Sequence, residues 1–213
     1  LSGHDPSKFR NRTCTAGDSR SQAQCNLAVF DAALAVAAQH GVDMVVLPEA
    51  YALGALGPKT AFEPVAGDGT VACGRPSRPV QSALSCMSAN YGVAVAANLF
   101  GCRSSAADCP KAERRLTEVV FSKTGELVVS YDKHHLFPNE LLEVTAGPFG
   151  PTAFSLLGRR WGILICFEGV WPIIGVGGNW SQSDDLVLRQ NVTELVWSIG
   201  SAIPAGLSGE VYV

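Results

Sequence analysis

The sequence predicts an α/β fold built on a mixed sheet, and three observations point to it. In the first half, stretches with helical apolar spacing alternate with short β-branched runs. Midway, Lys-Thr-Gly-Glu separates two such runs in the manner of a hairpin, and the second half continues as strand-turn units. Helix-strand alternation implies parallel pairing and a hairpin implies antiparallel pairing, so both belong to the predicted sheet.

Taken in order, residues 1–25 hold Gly, Ser, Asp, Arg and two cysteines without an apolar period, which reads as an irregular arm tied down by a disulfide. Over residues 26–40, Leu27, Phe30, Leu34 and Ala37 recur at helical spacing, with Asn26 suited to cap the start and Gly41 the end. The run 43–47 (DMVVL) is a short buried strand that Pro48 terminates. Residues 51–78 are rich in Gly, Pro and Ala and read as a long loop or a set of turns. A second helix spans 80–90 and leads into a strand at 92–98. Strands at 116–122 and 127–131 flank the hairpin turn, where Gly125 supplies a positive φ. Two further strands are expected at 161–166 and 194–199. The main domain runs from 26 to 213, with no internal repeat and no linker.

Composition narrows the function. With 213 residues, 47% hydrophobic and only 16% charged, the chain can bury a substantial core. A net charge of −3 and the lack of any Lys/Arg-rich run offer no footprint for a phosphate backbone, so nucleic acid is not an expected partner. No apolar run approaches the roughly 18 residues of a membrane span.

Seven cysteines are present, and six of them (Cys14, Cys25, Cys73, Cys86, Cys102, Cys109) lie in polar or Gly/Pro/Ser-rich surroundings, whereas Cys166 sits in an apolar run. Six cysteines allow 15 connectivities. Pairing of neighbours, Cys14/Cys25, Cys73/Cys86 and Cys102/Cys109, is the simplest. Three acceptor triplets for N-glycosylation, at Asn11, Asn179 and Asn191, exceed the roughly one expected by composition. Loop cysteines and sequons together point to a secreted protein.

The chemistry gathers at three strand ends. Glu49 follows VVLP, Lys133 follows LVVSYD, and Cys166 closes WGILIC at a sharp strand-to-turn boundary. A lone strand-end carboxylate or lysine is normally a solvated surface group, and a lone apolar-flanked cysteine is normally core. A carboxylate, an ammonium and a thiol meeting on one rim form instead a set suited to amide hydrolysis. The thiol attacks the carbonyl, Glu49 moves protons, and the Lys133 ammonium with the backbone N–H after Cys166 steadies the oxyanion. Such chemistry calls for neither metal nor organic cofactor. His134 and His135 are adjacent on an extended segment, so their side chains should face apart, and no spaced Cys/His set accompanies them.

The segments VVLPEAY, YDKHHLF and GILICFE, in that order, resemble the three signature segments of the nitrilase (carbon-nitrogen hydrolase) superfamily. By that resemblance Glu49, Lys133 and Cys166 match the catalytic glutamate, lysine and cysteine, and the fold is a four-layer α-β-β-α sandwich. The string KHHLF, the Cys166-Phe167-Glu168 continuation, the sequons and the loop cysteines are most similar to the biotinidase and pantetheinase (vanin) branch, which implies a small-molecule amide substrate. The resemblance also implies a second glutamate after the lysine, with Glu140 the nearest candidate and Glu143 the fallback. Glu168 is expected to hold the elbow by hydrogen bonding. Tyr51, Phe137, Trp171 and Trp197 are candidates to line the pocket or to pack in the core.

Relatives in that superfamily carry a core strand before the first helix and further elements after the last strand seen here. The chain is therefore expected to be incomplete at both ends, with apolar faces exposed. Competing readings are a general aliphatic amidase, nitrilase or ureido-acid hydrolase, and an inactive secreted binding module. Oligomeric state is not legible from the sequence.

Overall fold

Alanine, leucine and glutamine carry helix α1 (Ser19–Gln39), the first regular element of the computed structural model, which describes residues 19–49, 61–105, 108–169 and 182–200. The helix begins inside the segment read as an irregular arm. Asn26 consequently lies within it rather than capping it. Asn is a good capping residue, but the residues before it (SRSQAQC) include good helix formers and extend the helix without adding an apolar stripe. At the other end Gly41 takes φ 69°, as a glycine after a helix should.

Strand β1 (Met44–Val46) follows, then the two-residue β2 (Glu63–Pro64), helix α2 (Pro79–Tyr91) and strands β3 (Ala94–Cys102), β4 (Arg114–Phe121) and β5 (Leu127–Asp132). They form a five-stranded sheet in the order β1-β3-β4-β5, with β2 also paired to β3. β1 and β2 run parallel to β3, whereas β3/β4 and β4/β5 are antiparallel. Among the described residues β1 lies at a sheet edge, so its side chains are half-buried or exposed rather than fully buried as expected. The hairpin between β4 and β5 turns at Gly125, with φ 78°. A Cβ there would stand 2.4 Å from the Ser85 carbonyl oxygen, so α2 can dock on the turn only over glycine.

The second sheet holds β6 (Ala153–Leu156), β7 (Arg159–Ile165) and β8 (Glu194–Ser198), with β6/β7 antiparallel and β7/β8 parallel. β6 has no counterpart in the sequence reading, because four residues are too few for an alternation to register. β3 likewise extends four residues past the expected end at Asn98, through a stretch that pairs fully with β4.

The layers follow from side-chain alternation. Leu27 and Leu34 of α1 and Leu84 and Met87 of α2 pack on Val95, Ala97, Leu99, Val119 and Phe121 of the first sheet. Its other face, through Ala96, Val120, Val129 and Tyr131, meets Phe154, Ile163, Ile165 and Val196 of the second sheet. The outer face of that second sheet buries Leu164 against Leu186 and Val192, Leu186 lying in a π turn (Asp185–Arg189) that continues the short helix α3 (Gln182–Asp184). Helix, sheet, sheet, helix is the expected α-β-β-α sandwich, and both sheets are mixed.

Cys73–Cys86 and Cys102–Cys109 form disulfides as the simplest pairing has it. Cys25 is also disulfide-bonded; its expected partner, Cys14, lies outside the described residues. Leu195, Trp197 and Ile199 on and after β8, and Val187 and Leu188 on the π turn, are exposed.

Candidate active site

β4 runs opposite to both β3 and β5, while β1 runs with β3, so β1 and β5 end on the same rim of the first sheet. Glu49 follows β1, held in line by the Leu47 N–H bond to the Ala96 carbonyl at 2.8 Å. Lys133 follows β5 directly, its backbone still paired with β4 through the Leu116 carbonyl at 2.8 Å. Cys166 follows β7 on the facing sheet.

The three side chains meet. The Lys133 ammonium is fully buried and donates to Glu49 Oε1 at 2.7 Å and to Glu140 Oε1 at 2.8 Å. Burial pushes the ammonium down, but the two carboxylates outweigh it and hold Lys133 above its ordinary range. Glu140 sits in a 3-10 turn (Glu140–Leu142), and its Oε2 accepts the Phe137 N–H at 2.7 Å; burial raises its carboxyl despite Lys133. The fallback Glu143 lies elsewhere, 3.9 Å from Arg114.

Cys166 takes φ 43°, a left-handed backbone that side-chain-bearing residues rarely adopt and that marks a sharp elbow. Its Sγ donates to the Gly200 carbonyl at 3.7 Å, while the Gly200 N–H donates to Glu49 Oε2 at 3.2 Å. Cys166 is the free cysteine among the described residues. Burial pushes its thiol up to about 11, with the negative charge of Glu49 and a hydrogen bond to that carboxylate adding to the effect and Lys133 opposing it. The thiol is therefore protonated at rest.

Glu168 holds the elbow. Its Oε2 accepts the Ile165 N–H at 2.9 Å; its Oε1 accepts the Tyr131 hydroxyl at 2.7 Å and the N–H groups of His134 and His135 at 2.8 and 3.2 Å. The bend that aims both N–H groups at one oxygen also brings the two imidazoles into edge contact, centroids 4.7 Å apart. They do not face apart, because the chain leaves the extended conformation right after β5.

Of the candidate lining residues, Phe137 is exposed and meets the Phe167 ring edge-on at 5.4 Å. The Trp197 indole N–H donates to the Cys166 carbonyl at 3.0 Å, and its ring lies where a Cβ on Gly169 would be only 2.4 Å away. Tyr51 and Trp171 lie outside the described residues, as do Asn11 and Asn179. Asn191 is exposed in the turn before β8, with φ 53°.

Sequence reasoning missed Gly200, Ser198 and Glu118. Gly200 acts through its backbone, which carries no residue signature. Glu118 is a strand carboxylate that local pattern assigns to solvent, yet it is fully buried and accepts the Ser198 hydroxyl at 2.7 Å.

Compared with known families, residues 14–176 match carbon-nitrogen hydrolase. The chain belongs to the carbon-nitrogen hydrolase family. Within that family, it is 33% identical over 159 residues to a pantetheinase from Canis lupus familiaris, covering 67% of this chain and 31% of that protein. It is 31% identical over 159 residues to a biotinidase from Mus musculus, with the same shares of 67% and 31%. The chain thus spans about a third of the length of these curated relatives. Among solved structures, a cysteine-to-alanine variant of the amidase from Nesterenkonia sp. AN1, of the nitrilase superfamily, superposes with a TM-score of 0.63 at 20% identity, covering 86% of this chain and 62% of that one. Another form of that amidase, carrying an acrylamide adduct at its active-site cysteine, gives 0.55 at 22% identity over 72% and 55%. Both likenesses concern the carbon-nitrogen hydrolase fold.

Proposed function

We propose that this chain forms the catalytic centre of a secreted hydrolase that cleaves a linear, non-peptide amide in a small molecule through an acyl-thioester on Cys166. The observation that supports it is the Lys133 ammonium, wholly out of water, between Glu49 and Glu140, with Glu49 also beside the thiol on a left-handed elbow. Burying a lysine with two carboxylates is costly for a fold and typical of a site that uses them.

Because the thiol rests protonated, bond formation and proton transfer are coupled. Glu49 takes the S–H proton as Sγ attacks the carbonyl carbon, and the oxyanion develops beside the Lys133 ammonium. Collapse of the tetrahedral adduct breaks the C–N bond, with Glu49 handing its proton to the amine. A water molecule, deprotonated by Glu49, then attacks the thioester carbonyl; the C–S bond breaks and the proton returns to sulfur. The sum is amide plus water giving carboxylic acid plus amine. Glu140 neutralises Lys133 from the other side, so Glu49 can accept a proton without leaving the ammonium unpaired.

The similarity to a pantetheinase and a biotinidase supports a secondary amide of a vitamin-derived molecule as substrate. The disulfides and the exposed Asn191 sequon support the secretory route. The test is to incubate the full-length protein with secondary amides, primary aliphatic amides, nitriles and carbamoyl compounds while following intact mass. Secondary amides should turn over and leave a transient acyl adduct on Cys166. Turnover of only primary amides, nitriles or carbamoyl compounds would assign the site to the general amidases. No turnover and no adduct with any compound would make the chain a binding module.

A further inference from the structure

Glu118 is a fully buried carboxyl group that this mechanism leaves unused. It stands at the centre of β4, opposite Asn98 on β3 and Tyr131 on β5, on the face that meets the second sheet. Two residues further along the same face is Val120, in the apolar layer between the sheets. A carboxyl group at such a position is expensive to bury and calls for a reason. Its contact across the gap is Ser198, the last residue of β8, 80 positions away in the chain. Two residues beyond Ser198, Gly200 donates to Glu49 and accepts from Cys166.

We propose that Glu118 is a positioning residue for this site: by anchoring Ser198 across the two sheets it sets the Gly200 backbone against Glu49 and Cys166. The inference rests on the reading of Cys166 and Glu49 as the reacting pair. Glu118 acts in its neutral form. Burial pushes its carboxyl up to about 8, the hydrogen bonds of Ser198 and Asn98 oppose this, and the charges of Glu49 and Glu168 add to it. The groups around it are Asn98 from β3, Tyr131 from β5, Glu49 after β1, Glu168 after β7 and Ser198 from β8. None of them is a cation, and the nearby Lys133 is engaged by Glu49 and Glu140. Ionisation of Glu118 therefore adds a negative charge felt at Glu49 and Glu168, on a side of the site with no cation to offset it, and so opposes further negative charge there, on sulfur or on the oxyanion.

The experiment compares wild type, E118Q and S198A by two readouts from pH 6 to 10: kcat/KM on the turned-over amide, and the rate of Cys166 alkylation by iodoacetamide. In wild type kcat/KM should fall through an alkaline step near pH 8. E118Q should keep its activity at pH 7 within about threefold, lose that step, and alkylate about tenfold faster than wild type at pH 9, the effect of one buried charge at close range. S198A, which removes a hydrogen bond that favours the ionised carboxyl, should move the step to higher pH and lower kcat. If E118Q does not fold, the displaced step in S198A carries the test. An alkylation profile unchanged in E118Q, or a step unmoved in S198A, would overturn the role of Glu118. Retention of full activity by Cys166→Ser would instead remove the catalytic reading beneath it, an outcome the alkylation profiles do not depend on.

Discussion

The two faces of the first sheet, one residue apart in register, do different work. Toward the helices, Val95, Ala97, Leu99, Val119, Phe121 and Leu127 are apolar and fully or almost fully buried. Toward the second sheet, the same strands begin apolar with Ala96, Val120 and Val129 and then present Asn98, Glu118 and Tyr131 as they approach the rim where Glu49 and Lys133 stand. The helix face needs only hydrophobic burial to hold. On the other face each polar group depends on a named partner, so removing one member leaves another unsatisfied out of water. Stability and chemistry are thus separated by the alternation of a β-strand rather than by distance along the chain.

Mutations that respect this division should split its consequences. Cys166→Ala removes the proposed nucleophile with little change in packing; kcat/KM on the turned-over amide should drop by about 10⁴-fold or more, with melting temperature nearly unchanged. Lys133→Met should cost both, about 10³-fold in kcat/KM and about 3–5 kcal/mol in stability, because Glu49 and Glu140 are left buried without their cation. Denaturant titration alongside kinetics reads both. Phe121→Ala, on the helix face, should cost about 3–5 kcal/mol in the same titration while kcat/KM per folded molecule stays within about twofold. Equal damage to activity would dissolve the contrast. Trp197→Phe loses the donor to the Cys166 carbonyl together with the indole edge that lies against Gly169, so kcat should fall by a few-fold to about tenfold with KM unmoved.

A pH dependence sharpens the same comparison. The Glu118 carboxyl rises on folding from about 4.5 to about 8, so over that range the folded state binds more protons than the unfolded state. Stability should therefore be greatest below about 4.5 with respect to this group, decline as pH rises to about 8, and decline no further above it. Urea melts of wild type and E118Q across this range should show the slope lost in the variant.

The candidate site was legible as a cluster because Glu49, Lys133 and Cys166 sit at strand ends, where a short apolar run stopping at Pro48, at Lys133 or at the Cys166 turn is visible in one dimension. The pairing of Cys73 with Cys86 and of Cys102 with Cys109 was legible for a similar reason: short separations leave few alternatives. The helix start was not, since the residues before Asn26 lack an apolar stripe and fall outside any periodicity argument. Glu118 went unnoticed because only a second sheet, assembled from residues far along the chain, turns its side of β4 inward. Trp197 was open between pocket lining and core packing, and its bond to the Cys166 carbonyl was not legible because it depends on β8 lying parallel to β7, a pairing with no local signature.

Glu168 joins the N–H before the thiol to the two N–H groups after the ammonium, through a single carboxyl group. Sulfur and nitrogen belong to different sheets, yet their spacing is governed by this rivet and not by how closely the sheets lie. When the sandwich shears or breathes, both groups should travel together, and the gap in which a carbonyl would bind should hold its width.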